Sequence, residues 1–201
     1  PFFAALMLRV NGATPARWQI VAAGLGAGVM LAFKPHFIFA FAGAVVVTAV
    51  LRRSWRILFV PENWIAGVVV LGYMAIVAIL FPEFFTVVLP IARDVYVPVG
   101  RSLPRMMATM GAVCWLGVML VILLLQHARR DPAVMVLVAG SLGFAGAFFM
   151  QHKGWPYQSY PMIALAFLAA ITAAASVRFG AQRLVGLSVV SALIALFVSA
   201  M

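Results

Sequence analysis

The chemically richest stretch of the chain is residues 151–161, which read QHKGWPYQSYP. It holds an amine, an imidazole, two amides, two phenols and an indole, and long apolar runs flank it on both sides. Its aromatic residues alone would suit an interfacial belt, because Trp and Tyr are enriched where a membrane meets water. A belt has no need of Gln151, His152, Lys153 and Gln158 as well. We therefore interpret this stretch as one wall of a binding site.

Two other polar islands accompany it. One is Lys34-Pro35-His36, and the other is the segment 82–105, PEFFTVVLPIARDVYVPVGRSLPR. The alternation of apolar runs predicts that all three islands lie on the same side of a membrane. The ionisable and aromatic side chains collected there are Lys34, His36, Glu83, Arg93, Asp94, Tyr96, Arg101, Arg105, His152, Lys153, Trp155, Tyr157 and Tyr160.

Each island also has a simpler interpretation. Pro35 would break a helix, and its polar neighbours would then cap the turn. Arg93 and Asp94 would form a surface ion pair worth about 0–1 kcal/mol. Glu83, directly after Pro82, would be a solvated helix end. The chemical alternative is that Glu83 or Asp94 acts as a general base or a metal ligand.

The elements that carry these islands are predicted from composition. Of the 201 residues, 66% are hydrophobic and 9% are charged, which is more apolar surface than a soluble domain can bury. Unpaired backbone groups are costly in lipid, and the apolar runs do not alternate as barrel strands do. We predict an all-α, polytopic membrane bundle forming one domain over residues 1–201. The predicted spans, after a partial one at 1–8, are 19–33, 37–51, 65–81, 106–125, 132–150, 162–177 and 184–201.

The chain begins inside an apolar run and shows no signal-peptide pattern. We therefore expect it to be the C-terminal portion of a longer protein, with further spans upstream. The single cysteine, Cys114, rules out an intrachain disulfide.

Lysine and arginine counts predict the orientation. Alternate loops hold nine of these residues, and the loops on the other side, which carry the polar islands, hold five. The first set should be cytoplasmic, and topology rather than nucleic-acid binding then explains the net charge of +10. The runs beside Lys34-Pro35-His36 are each near 23 Å long, short of a bilayer core of about 30 Å. We prefer a hairpin there, because one long span kinked at Pro35 would separate Arg9 from Arg52.

Five cations on the outer face oppose the usual charge bias, so they need another reason. A phosphate at the membrane surface would supply one, since it forms charge-assisted bonds with Arg and Lys. The three histidines lack the spacing of a zinc site. Walker, Rossmann and GxSxG motifs are absent from the sequence.

Three motifs together resemble a known family. They are Phe-Lys-Pro-His-Phe at 33–37 after a Gly/Ala-rich run, a Pro-Glu loop with Leu89-Pro90 and Tyr96, and Gln-x-Lys-Gly-Trp-x-Tyr-x-x-Tyr-Pro at 151–161. The chain is similar in these to bacterial integral-membrane glycosyltransferases of the C-type superfamily. Relatives of that group are the dolichyl-phosphate-mannose–protein mannosyltransferases.

The resemblance implies a polyprenyl-phosphate sugar as donor and a glycan, lipid or protein hydroxyl as acceptor. Transfer would proceed with inversion at the outer face of the bacterial cytoplasmic membrane. The donor phosphate would be bound by Lys34, His36, Arg93, Arg101, Arg105, His152 and Lys153. The sugar or lipid would contact Tyr96, Gln151, Trp155, Tyr157 and Tyr160.

In that family the base usually sits in an outer loop near the N-terminus. We expect it upstream of this chain, with Asp94 as a local candidate. The motifs do not require a cofactor, and they are compatible with a divalent metal.

Two other functions remain open at this point. A transporter or flippase of a lipid-linked or anionic solute should place polar residues at the membrane midplane, on broken helices. A non-catalytic membrane subunit predicts that Lys34→Ala and Lys153→Ala leave sugar transfer intact.

Overall fold

A computed structural model describes residues 1–125 and 130–176, together with isolated positions 188, 191, 192 and 195. Regular structure in these residues is entirely helical, as predicted. The α-helices are α1 (Phe2–Val10), α2 (Arg17–Phe33), α3 (Ile38–Leu51), α4 (Pro61–Leu80), α5 (Leu89–Tyr96), α6 (Leu103–Met107), α7 (Met110–Leu124), α8 (Pro132–Met150) and α9 (Pro156–Ser176). Short 3₁₀ turns at Pro35–Phe37 and Trp55–Phe59 precede α3 and α4, and a π-helix at Phe84–Val88 precedes α5.

Three helical stretches in this part of the chain are long and apolar enough to cross a membrane: Trp55–Leu80, Pro132–Met150 and Pro156–Ala175. Three shorter apolar helices, Arg17–Phe33, Pro35–Leu51 and Met110–Leu124, accompany them. Apart from those four isolated positions, the predicted span 184–201 lies outside the described residues, as do the basic loop 178–183, His127 and Arg129.

The helix boundaries can be compared with three of the predicted spans. Helix α8 coincides with the predicted 132–150, because Asp131 caps its first backbone amides and Pro132 occupies its first turn. The prediction of one helix over 106–125 is wrong. The helix breaks at 108–109, and α7 begins at Met110, where Thr109 accepts a hydrogen bond from the amide of Ala112. Helix α9 starts at Pro156, so half of the polar stretch 151–161 is helical.

Helix α8 lies at the centre of the bundle, between α3 and α9, and α7 packs on the far side of α9. Small residues allow this close approach. A Cβ atom added to Gly143 of α8 would overlap the backbone of Ala40 in α3. Gly111 of α7 is equally tight against Ser159 of α9. Such contacts are how membrane helices gain packing energy where burial from water contributes little.

Helices α2 and α4 form a second unit that packs tightly together. Gly24 and Gly28 of α2 lie directly against Ile65 and Val69 of α4. Apart from this contact α4 is largely exposed, since 6% of the residues in its most apolar part are buried. In an apolar helix, such exposure is expected for a surface that faces lipid.

The polar segments sort to two opposite ends of the bundle. At one, the Arg9 end, Arg9 contacts Glu62 and Gly12 lies beside Arg52. At the other, the Lys34 end, lie residues 34–36, the 96–101 loop and the turn 151–157. The chain therefore reverses between α2 and α3. This agrees with the hairpin interpretation, because a single kinked helix would place Arg9 and Arg52 at opposite ends.

Candidate functional site

The site at the Lys34 end is organised around Lys153. Its ammonium group donates hydrogen bonds to the backbone carbonyls of Tyr96 and Val99, the second at 3.0 Å. The same nitrogen lies 5.8 Å from the centre of the Tyr96 ring. Lys153 therefore ties the 96–101 loop to the turn that follows α8. Two of its three N–H donors are used in doing so.

Backbone contacts reinforce this connection. The amide of Arg101 donates to the carbonyl of His152 at 2.6 Å. His152 and Gly154 both have positive φ, at 52° and 63°. Glycine adopts such a conformation without strain, whereas for His152 it is sparsely populated. A strained residue of this kind is found where the surrounding structure over-determines the backbone, often at functional sites.

A cavity of about 300 Å³ opens between this turn and the start of α7. Its polar lining consists of Arg101, Thr109, Ser159 and Tyr160, with Trp155 at one side. Arg101 is the charged residue among the described residues that line it. The hydroxyls of Ser159 and Thr109 donate to the carbonyls of Pro156 and Met106, so they can accept but not donate to a ligand. The cavity thus presents a guanidinium group among hydroxyls.

Lys34 reaches the same site through aromatic rings. Its ammonium nitrogen lies 5.1 Å from the centre of the Tyr157 ring and 5.4 Å from that of Phe37. The indole of Trp155 stands 5.8 Å from the Tyr157 ring and 6.4 Å from the Tyr96 ring. Cations over such faces gain about 0.5–2 kcal/mol. The three polar islands therefore meet around Trp155.

Other predicted residues stand apart from this cluster. Glu83, Arg93, Asp94 and Arg105 are exposed, and His36 is half-buried. Within the described ranges no side-chain hydrogen bond or ion pair joins these five residues to the site. Arg93 and Asp94, for which a surface ion pair was the simpler interpretation, form none in the described part of the chain, where the salt bridge found joins Arg9 to Glu62.

The two glutamines of the stretch form a chain of amides. Gln151 donates from Nε2 to the carbonyl of Ala147 at 3.0 Å, which fixes the orientation of its amide. Its Oε1 then accepts from Nε2 of Gln158, also at 3.0 Å. The Oε1 atom of Gln158 is buried without a hydrogen-bond partner among the described residues. A buried acceptor of this kind is rare and calls for a donor that approaches it.

An apolar groove of about 710 Å³ begins at the same end of the bundle. It runs between α2, α3 and α4, from Pro35 and Ile38 at the Lys34 end to Leu58 and Asn63 at the Arg9 end. Its walls are almost entirely aliphatic and aromatic. Pro35 adjoins Lys34, so the groove begins beside a cation.

Three lining residues were not singled out from the sequence: Thr109, which lies outside the predicted polar islands, and Gly154 and Ser159, which lie within the predicted wall 151–161. Thr109 carried a usable signal, because a threonine directly before an apolar run is a helix-capping position. Gly154 lies in a polar turn, where glycine commonly supplies positive φ. Ser159 had no signal of its own, since its place depends on the helical start of α9.

Comparisons with protein-family models, curated proteins and solved structures each found no match to this chain. The case for its function therefore depends on the site itself. Among the described residues, no three His, Cys, Asp or Glu side chains lie together as a metal site.

Proposed function

We propose that the protein is a membrane glycosyltransferase. It would move a sugar from a polyprenyl-phosphate carrier to an acceptor hydroxyl at the outer face of the bacterial cytoplasmic membrane. The proposal includes the seven-span topology, with the Lys34 end outside. The resemblance of its motifs to the C-type superfamily supports this choice of reaction.

The observation that carries the proposal is a pair of cations, the cationic cluster of Lys34 and Arg101, at the end of the bundle where a long apolar groove begins. Lys34 and Arg101 have no acidic partner in the described part of the chain. Cations left without a carboxylate at the edge of a membrane are well placed to bind a phosphate. The groove of about 710 Å³ offers the apolar surface that a lipid chain requires. An amphiphilic anion matches both features at once, with its charged head at the cations and its tail in the groove.

The chemistry would follow from charge development. The acceptor oxygen attacks the anomeric carbon and forms the new glycosidic bond, while the bond to the phosphate oxygen breaks. The bonding electrons leave with the phosphate, and a base takes the hydroxyl proton. The base stays a prediction, either an upstream acid or Asp94, which is exposed in this structure. Cations fixed beside the leaving phosphate stabilise the transition state, and losing one such group typically costs about 10²–10³ in rate.

The residues divide between binding and positioning in this proposal. Arg101 and Lys34 would face the phosphate, and Trp155, Tyr157 and Tyr160 would contact the sugar or the first isoprene units. Lys153 would hold the 96–101 loop in place, since two of its donors already bond backbone carbonyls. His152 would act through its backbone, whose carbonyl accepts from the amide of Arg101.

A transporter would need polar groups in the middle of its helices. The buried polar side chains found there include Thr48 and Ser141. Thr48 donates to the carbonyl of Ala44 at 2.7 Å, and Ser141 joins the indole of Trp115 to the carbonyl of Met162. Each hydroxyl therefore already has a hydrogen-bond partner within the bundle. A transported solute would find no free polar group in these two side chains. The geometry therefore supports surface chemistry better than transport.

The test uses the complete protein, purified in detergent and supplied with a radiolabelled polyprenyl-phosphate sugar and membrane-extracted acceptors. Arg101→Gln should lower turnover by about 10²–10³. Arg56→Gln is the matched control, because Arg56 is an exposed arginine at the Arg9 end. Equal turnover of the two variants and the wild type would contradict the proposed role of Arg101. Absence of transfer by the wild-type protein with every donor would contradict the function itself.

A further inference from the structure

The helical stretch 83–96 lies apart from the bundle. It consists of Glu83, the π-helix Phe84–Val88 and α5. It packs on itself and on the end of α4, and almost every side chain in it is exposed. A helix in water with so many bare apolar side chains needs something to cover them.

The stretch separates polar and apolar residues on opposite faces. Phe84, Val88, Ile91 and Val95 recur at the spacing of one helical face. Thr86, Pro90 and Arg93 fall on the opposite face. The aromatic and aliphatic residues of the first face are between 40% and 58% exposed, so the protein leaves that face free.

Length and charge together argue against a membrane span, since the stretch also holds Glu83, Arg93 and Asp94. Fourteen residues make a helix of about 21 Å, against a hydrocarbon core of about 30 Å. The stretch nevertheless starts a few residues after α4, a helix long and apolar enough to cross the membrane. The stretch therefore begins close to the point where a membrane-crossing α4 would leave the bilayer.

We propose that residues 83–96 lie in the plane of the membrane, with the face of Phe84, Val88, Ile91 and Val95 sunk into the boundary between headgroups and acyl chains. Helices with one apolar and one polar face bind in this way. The partner is the lipid surface. Glu83 and Asp94 outnumber Arg93, so the stretch carries a net charge of −1. Docking therefore depends on apolar burial and not on attraction to anionic lipid.

This arrangement has a consequence for the site. The carbonyl of Tyr96, at the end of α5, accepts a hydrogen bond from Lys153. A helix held at the headgroup level thus fixes the depth of the 96–101 loop. The cavity beside Arg101 then lies at the depth of lipid phosphates, whether or not the proposed sugar transfer takes place there.

The experiment places single spin labels on the full chain in phosphatidylcholine nanodiscs, on a Cys114→Ser background. Labels at Val88→Cys and Ile91→Cys probe the apolar face, and those at Thr86→Cys and Arg93→Cys the polar face. Leu71→Cys on α4 serves as the lipid reference and Thr14→Cys as the water reference, because both side chains are exposed. Accessibility to oxygen is compared with accessibility to a water-soluble nickel chelate.

The oxygen-to-nickel ratio should differ between the two faces of the helical stretch. Positions 88 and 91 should approach the lipid reference, and positions 86 and 93 the water reference. Adding phosphatidylglycerol should leave the pattern unchanged. Nickel access at all four positions would overturn the proposal, as would protection of all four from both reagents. A pattern that appears only with phosphatidylglycerol would overturn the apolar mechanism of docking.

Discussion

Lys153 illustrates how a charged residue of a candidate site can serve as a structural tether. A lysine in a polar loop is expected to be a free cation. Here its ammonium group instead donates hydrogen bonds to two backbone carbonyls of a distant segment. Those bonds hold the loop on which Arg101 stands. The residue types of the site could be predicted from the sequence. Their division into ligands and supports could not, because it depends on which carbonyls fold back within reach.

The role of Lys153 leads to a testable expectation. Lys153→Met removes both bonds and should release the 96–101 loop, misplacing Arg101. A displacement of about 1 Å at a reacting centre can cost about 10² in rate. Lys153→Arg keeps a donor to carbonyl oxygen and should recover part of that loss. Steady-state turnover of the three proteins checks this, and full activity of the methionine variant would show that the tether is dispensable.

Glu62 forms a long-range ion pair that its local sequence does not predict. Its position after Pro61 predicts a helix-start acid, and it does lie in the first turn of α4. It is also fully buried, and it pairs with Arg9 through Nε at 2.5 Å and Nη2 at 2.9 Å. A contact across 53 residues leaves no local trace in a sequence.

At the scale of elements, this pair connects the end of α1 to the start of α4. Glu62→Ala would leave the guanidinium of Arg9 nearly buried without its carboxylate, which typically costs about 3–5 kcal/mol. Thermal unfolding in detergent should show the loss. Glu83→Ala is the control, because Glu83 is exposed and should change stability little. The double variant Arg9→Met/Glu62→Leu should be more stable than Glu62→Ala, and equal losses in both would argue against an isolated buried charge as the cause.

Helix α8 offers a second test at this scale. Gly143→Ala would drive a methyl group into the backbone of Ala40, and overpacking of this kind typically costs about 1–3 kcal/mol. Gly146 lies one turn later on the same helix, with no atom within 4 Å of an added Cβ. Gly146→Ala should therefore stabilise, since alanine is favoured over glycine in a helix by about 0.5–1 kcal/mol. Unfolding midpoints that shift in the same direction would contradict the close contact between α3 and α8.

The helices themselves were predicted unevenly. Helix α8 follows from its cap, its proline and its apolar run, all of which are local signals. The break before α7 was missed, because hydropathy alone does not register the competition of Thr109 for backbone amides. The polar start of α9 was missed for a related reason. Residues 156–161 look like a loop, yet proline at the first helical position and a buried Ser159 belong to a helix.

At the scale of the whole molecule, the chain separates two kinds of polar chemistry. The Arg9 end holds the buried ion pair of Arg9 and Glu62, and the Lys34 end holds Lys34 and Arg101, which form no ion pair in the described residues. The two ends are separated by the length of the apolar helices, whose interior is nearly free of polar side chains. Sequence alternation predicts this sorting, because each apolar run carries the chain to the opposite end. It does not show which side of the membrane each end faces.

Charge distribution gives a prediction for that last question. Arginines at 9, 17, 52, 53, 56 and 130 all belong to the Arg9 end of the described chain, against five cations at the other end. The positive-inside rule therefore predicts that the Arg9 end faces the cytoplasm. Thr14→Cys and Ser102→Cys place exposed thiols at the two ends, and Cys114→Ser removes the buried native thiol. In intact cells an impermeant maleimide should label position 102, and it should reach position 14 after permeabilisation. Labelling of position 14 with protection of 102 would reverse the orientation and place the cationic cluster inside the cell, where an outward-facing transferase could not work.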